Sequence, residues 1–169
     1  YDGVYSAATH CIETGYEQFL IIGGAPTIRT RIEREYGFTD ALEASNKPYE
    51  RLTIEQGSLS VSEISQWLNN HILLSKKNLI FVPNQWALKS VHSALYSYET
   101  AIPKQIGLLG FNNTDWTDLP AKSISTIVEP VYEEGYTACK MLLEKIKNPS
   151  LEPEHKLLTC KLNWLKSTF

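Results

Sequence analysis

The side chains best suited to chemistry gather in one polar loop. Gly110-Phe-Asn-Asn-Thr-Asp-Trp-Thr-Asp118 follows an apolar run and holds two amides, two carboxylates and a tryptophan. Amides and carboxylates present planar donor and acceptor pairs that suit adjacent hydroxyls. An aromatic ring presents an apolar face to C–H groups. A sugar needs both, so the loop fits a carbohydrate contact with Asn112 and Trp116 as its leading residues. The same composition also fits a plain polar turn, with Asn and Asp bonding to nearby backbone. Arg31 and Arg34 stand three apart on the sequence. Their guanidinium forks serve a ligand if the helix carrying them borders a cleft, and are solvated charges if it does not.

Other chemistries lack their apparatus. Gly23-Gly24 and Gly107/Gly110 form neither GxGxxG nor GxxxxGK[ST], the glycine patterns that cradle phosphates. His10 and Cys11 are sequence neighbours whose side chains diverge on a helix, and His71, His92 and His155 stand alone, so no ligand spacing for a metal emerges. No GxSxG nucleophile elbow occurs. The sequence therefore predicts a binding protein with no cofactor and no metal, and not an enzyme.

The elements that would position the loop can be read from hydrophobic periodicity. Val4–Thr14 reads as a helix closed by Gly15, a residue suited to a left-handed cap. Phe19–Gly23, Asn78–Val82, Ile106–Leu109 and Ser125–Val128 are short apolar runs of the kind buried on both faces of a parallel sheet. Glu50–Ile54 alternates like a strand, and His155–Trp164 alternates more loosely as a terminal one. Between them, Thr27 is placed to cap a helix reaching Ala44, with Ile28, Ile32 and Tyr36 as its apolar stripe. On that stripe Arg34 points away from the core. Ser60 and Glu63 form a capping box for a helix to about Leu74. Asn84 caps a helix to about Tyr98, and Pro130 opens one ending near Lys147. Strand and helix alternate at short spacing, which predicts βαβ units and a parallel sheet. Ligands of such sheets collect at the carboxyl ends of the strands.

The chain of 169 residues suffices for one domain. A net charge of −3 and a pI near 5.8 argue against a direct grip on nucleic acid. Three scattered cysteines fit a reducing cytoplasm, and no apolar run has membrane-spanning length. The opening Tyr1-Asp2-Gly3, without methionine, leads us to expect a piece of a longer protein.

Across its whole length the sequence resembles the lactose/galactose repressor (LacI/GalR) family of transcription regulators. Asp2, His10 and Gly15 resemble that family's Asp opening a helix that ends His-Leu…Gly-His. Phe19–Gly24 resembles its strand-and-glycine step, and Arg34-Glu-Tyr-Gly-Phe-Thr-Asp-Ala-Leu42 its R-x-x-G-[FY]-x-x-A-L helix. Leu79–Leu88 resembles its strand followed by N-D-x-x-A-x-G, and Ile102–Asn112 its P-x-D-[IV]-x-[VLI]-x-G-[FY]-D. Ile124–Pro130 resembles L-T-T-[IV]-x-Q-P, and Gly135 with Ala138–Leu143 the helix after it. The order and spacing of these marks together make the resemblance specific.

The resemblance implies a periplasmic-binding-protein-like fold of two α/β lobes with an effector in the cleft. Residues 1–169 would form the C-terminal lobe plus late crossover segments of the other lobe. The early N-terminal lobe and the DNA-binding head would lie outside. It implies effector contacts at Asp2, Arg34 and Asn112, the last standing where Asp is usual. Leu59 stands where an aromatic is frequent, Asn84 follows Pro83 where Asn-Asp is usual, Glu129 replaces Gln, and Thr30 is a weaker match. Trp86 or Trp116 would supply the missing stacking face. The family pattern further implies a cytoplasmic homodimer joined partly through Trp86, Val91, Ala94 and Leu95, a sugar or sugar derivative as effector, and DNA contact only through the head. The rival readings are a solute-binding protein of an uptake system and a doubly wound enzyme.

Overall fold

The apolar runs form the centre of one sheet, because strands flanked by helices on both sides have no polar face to present. The computed structural model describes residues 1–55, 60–112, 116–119, 121 and 123–169. In chain order the elements are α1 (Asp2–Glu13), β1 (Gln18–Gly23), α2 (Arg29–Ala44), β2 (Tyr49–Thr53), α3 (Val61–His71), β3 (Asn78–Val82), α4 (Gln85–Ala94), a 3₁₀ turn (Tyr96–Ala101), β4 (Ile106–Phe111), β5 (Ser125–Val128), α5 (Val131–Lys147) and β6 (Lys161–Asn163). The strands are ordered β2-β1-β3-β4-β5-β6. All neighbours are parallel except β6, which runs antiparallel to β5 through Ile127 opposite Leu162. The sheet is thus mixed, not wholly parallel. Its terminal strand is confined to Lys161–Asn163, a fraction of the His155–Trp164 alternation.

The pleat divides the core into two layers. Leu20, Ile22, Ile80, Val82 and Leu108 face α3 and α4. Phe19, Ile21, Leu79, Phe81, Leu109 and Phe111 face α1 and α2. Local signals fix several ends. Gly15 has φ +93°, and the chain leaves α1 by a Schellman turn in which Tyr16 N–H reaches Cys11 O at 3.1 Å and Gly15 N–H reaches Ile12 O at 3.1 Å. Ser60 and Glu63 form the expected capping box on α3.

Asn78 performs a similar duty inside the fold. It is fully buried at the start of β3; its Nδ2 donates to the carbonyls of Leu73 at 2.9 Å and Lys76 at 2.8 Å, and its Oδ1 accepts from Leu73 N–H at 3.0 Å. Asn78→Ala strands these backbone groups, and we expect a loss of about 2–3 kcal/mol. Urea denaturation checks this, and a loss below about 0.5 kcal/mol would show that water replaces the amide freely.

Helix α2 departs from its sequence reading. Its N-cap is Ile28, without a side-chain cap bond, so Thr27 does not cap it. Ile28 is 53% exposed and Tyr36 59%. The buried face is instead Gly37, Phe38, Ala41 and Leu42. Phe38, Ala41 and Leu42 stand at i, i+3 and i+4, an apolar stripe as regular as the expected one, and the Phe38 ring has no hydroxyl that burial would have to satisfy. Arg34 is at i−4 from Phe38, so it turns inward, contrary to expectation. Helix α4 is also shorter than expected, the 3₁₀ turn taking over from Tyr96.

Helix α5 has no buried residue. Val131, Tyr132, Tyr136, Leu142, Leu143 and Ile146 are all exposed, Tyr132 at 79%. No helix among the described residues is long and apolar enough to cross a membrane.

Candidate functional site

Five parallel strands deliver their carboxyl ends to one edge, and three side chains meet there. Arg34 comes from α2, Asn112 from the end of β4 and Glu129 from the residue after β5. Arg34 Nη2 lies 2.5 Å from Glu129 Oε1. Asn112 Nδ2 donates to Glu129 Oε2 at 2.8 Å, and Glu129 N–H donates back to Asn112 Oδ1 at 3.1 Å. The guanidinium carbon of Arg34 sits 3.8 Å from the centroid of the Phe111 ring, and Nη1 approaches Pro83 O at 3.4 Å. Side-chain exposures of 20% for Arg34 and 26% for Glu129 make this a half-buried ion pair still reachable from solvent.

The backbone explains why Asn stands at 112. Its φ is +66°, in the left-handed region that Asn tolerates better than most residues. Its N–H donates to Ile127 O at 2.7 Å, which joins the ends of β4 and β5. Among the described residues, both ends of the Asn112 amide are spent on Glu129.

At the neighbouring strand ends, Asn84 occupies the N-cap position of α4 but makes no cap bond. Its Oδ1 accepts instead from Gly24 N–H at 2.7 Å. This approach requires the glycine pair, since a Cβ on Gly23 would lie 2.7 Å from that oxygen. The Trp86 ring packs against Gly24, and its Nε1 is buried with no hydrogen-bond partner among the described residues. Arg51 from β2 donates to Gly24 O at 3.0 Å while Glu35 grips it at 2.5 and 3.0 Å.

Not every expected site residue joins this group. Thr30 and Asp2 are exposed, at the starts of α2 and α1. Trp116 packs on the α3/α4 layer with its ring 5.8 Å from His92, whereas Arg34 rests on Phe111 of the opposite layer. Trp116 is partly buried against the apolar core beneath α4. Leu59, and Asn113, Thr114 and Asp115 of the polar loop, lie outside the described residues. Val91, Ala94 and Leu95 are buried in the chain's own core, so they present no surface to a partner; Trp86 is half-buried. The exposed positions on that helix are Gln85, Lys89 and Ser93, and the turn after it exposes Tyr96, Ser97, Glu99 and Thr100.

Two participants escaped sequence reading. Phe111 is the platform under Arg34, and Pro83 offers its carbonyl. Phe111 was within reach of inference, because pleat alternation puts it on the face of Leu109 at the last residue of the strand.

Two of the three thiols are muted. Burial pushes the Cys11 thiol up to about 12. Burial, with Glu129 adding to it, raises Cys160, so neither is a ready thiolate. Among the described residues no three His, Cys, Asp or Glu side chains stand together as a metal site. A separate concavity of about 390 Å³ lies beneath the 3₁₀ turn, lined by His92, Tyr96, Glu99, Leu108, Ile124 and Ser167. It shares no residue with the Arg34 group, and desolvation lowers the pKa of its only imidazole.

Comparison with known proteins bears on this geometry. Residues 8–168 match the family described as periplasmic binding protein-like domain. The chain is similar to the HTH-type transcriptional repressor PurR of Actinobacillus pleuropneumoniae serotype 3 (strain JL03), with 26% identity over 148 residues, covering 87% of this chain and 44% of that protein. The chain thus spans less than half the length of that relative. Among solved structures, a LacI-family transcriptional regulator from Enterococcus faecium with bound ribose aligns with TM-score 0.79 and 23% identity, over 99% of this chain and 62% of that one. A periplasmic binding protein/LacI transcriptional regulator from Alkaliphilus metalliredigens QYMF, complexed with D-xylulofuranose, aligns with TM-score 0.80 and 24% identity, over 100% of this chain and 63% of that one.

Proposed function

The chain belongs to the periplasmic binding protein-like domain family, in the effector-binding form of the lactose/galactose repressors, and from that premise we propose that it senses a sugar or sugar derivative within a cytoplasmic transcriptional regulator. The observation carrying this reading is the Arg34–Glu129–Asn112 group at the carboxyl edge of the sheet, where ligands of such folds collect. A hydroxyl can donate to the carboxylate and accept from the guanidinium or the amide in one place. The sugar-bearing structural neighbours support a carbohydrate ligand, and the repressor relatives favour regulation over uptake.

The chain then works by differential affinity. An effector that binds a closed arrangement of two lobes more tightly than an open one shifts the population toward closure, and no bond is made or broken. The exposed apolar face of α5 is the part of this chain that packs against the other lobe, supplied by further sequence. A homodimer presents paired DNA-binding heads from outside this segment, with Lys89, Ser93 and Tyr96 as the available surface on the helix first expected at the contact.

Calorimetric titration of the full-length protein with pentoses, hexoses, amino sugars and disaccharides tests the reading, alongside operator binding in the presence of any hit. In the same assay Asn112→Ala is expected to weaken effector binding by about 1–3 kcal/mol, as for a lost buried polar partner. An unchanged affinity would remove Asn112 from the site.

A further inference from the structure

Resting on the reading above, we propose that the site selects an uncharged polyol or an amino sugar and rejects anionic ligands, with Glu129 as the residue that decides. Guanidinium groups at strand ends ordinarily invite oxyanions. Here both arginines that hydrogen-bond to backbone at this edge already hold carboxylates of their own, Arg34 with Glu129 and Arg51 with Glu35. The Arg34 pair is 74–80% shielded from water by its side-chain exposures of 20% and 26%, so its charges are screened less than surface ones. A phosphate or carboxylate approaching Arg34 must come within a few ångströms of Glu129 and meets like charge.

Hydrogen-bond polarity gives the same answer as charge. Glu129 uses Oε1 on Arg34 and Oε2 on Asn112, and each oxygen keeps a free acceptor site. Arg34 directs Nη2 at Glu129 and Nη1 at Pro83 O, which leaves further N–H groups of its five. The edge thus offers acceptors and donors side by side. A hydroxyl satisfies both and an ammonium satisfies the acceptors, whereas an ionised carboxylate has nothing to donate and a phosphate sets its own negative charge against Glu129. Glutamine at 129 would keep the shape and one acceptor oxygen but leave Arg34 without its counter-charge.

Inorganic phosphate is the simplest probe. Wild-type full-length protein is expected to give neither heat nor a melting shift with millimolar phosphate, and Glu129→Gln to bind it at least about tenfold more tightly than wild type. The double variant Arg34→Gln/Glu129→Gln should lose that gain, which locates the anion on Arg34. A second measurement needs no variant: any neutral sugar that binds wild type should bind at least about tenfold better than its phosphate ester or uronic acid. Phosphate binding by wild type, a Glu129→Gln variant that folds but gains nothing, or an acidic sugar preferred to its neutral parent would each overturn the proposal. If no sugar binds at all, the sugar-sensing reading fails, and the phosphate comparison between wild type and Glu129→Gln still decides the charge selectivity.

Discussion

Arg34→Ala in the full-length protein should weaken effector binding about thirtyfold, or roughly 2 kcal/mol. The substitution removes the donors facing the strand ends and strips Glu129 of its partner at 2.5 Å. Truncating one member of a buried charge pair costs about 2–5 kcal/mol, much of it the penalty on the abandoned charge. Exposures of 20% and 26% place this pair at the low end of that range. Arg34→Lys is a revealing control. It keeps the charge but loses the fork and the stacking over Phe111 at 3.8 Å, so its affinity should fall between the two. Titration calorimetry reads both variants, with circular dichroism confirming the fold. Less than a threefold change in Arg34→Ala would place the effector elsewhere on the strand edge.

The largest effect on stability is expected from Phe81→Ala. Phe81 is fully buried in β3 and stacks on Phe38 with centroids 4.4 Å apart and planes 16° from parallel. Phe38 in turn meets Phe19 edge to face at 6.1 Å, so one ring ties α2 to two strands. Deleting it loses transfer free energy and leaves a cavity that close-packed neighbours cannot fill, at about 3–5 kcal/mol. A domain stable by only about 5–15 kcal/mol would give up a large share of its margin. Phe81→Leu keeps most of the volume and should cost below about 1.5 kcal/mol. Urea midpoints at unchanged slope would measure both. A Phe81→Ala loss under about 1 kcal/mol would mean that the α2 layer collapses onto the gap. The site should feel the change too, because Phe81 lies two residues before Pro83, whose carbonyl faces Arg34.

Much of this architecture was legible in the sequence. The strands Asn78–Val82 and Ser125–Val128 begin and end where their apolar runs do. The α3 capping box and the left-handed Gly15 also stand where sequence spacing puts them. These features are local: they depend on residues within a turn or a strand of one another, and chain order records such neighbours directly. The family resemblance named Arg34, Asn112 and Glu129, three side chains that the fold brings into contact.

Tertiary packing decided the rest. Helix α2 offered two apolar stripes, and only contact with α1 and Phe81 selected Phe38, Ala41 and Leu42 over Ile28, Ile32 and Tyr36. That choice turned Arg34 inward onto Phe111 and toward Glu129, a partner 95 residues away. Packing likewise drew Val91, Ala94 and Leu95 into the chain's own core and set Trp116 against the α3/α4 layer. Periodicity states that a helix has an apolar side; which of two candidate sides is buried depends on what the sheet presents to it, and that surface exists only once distant strands have paired.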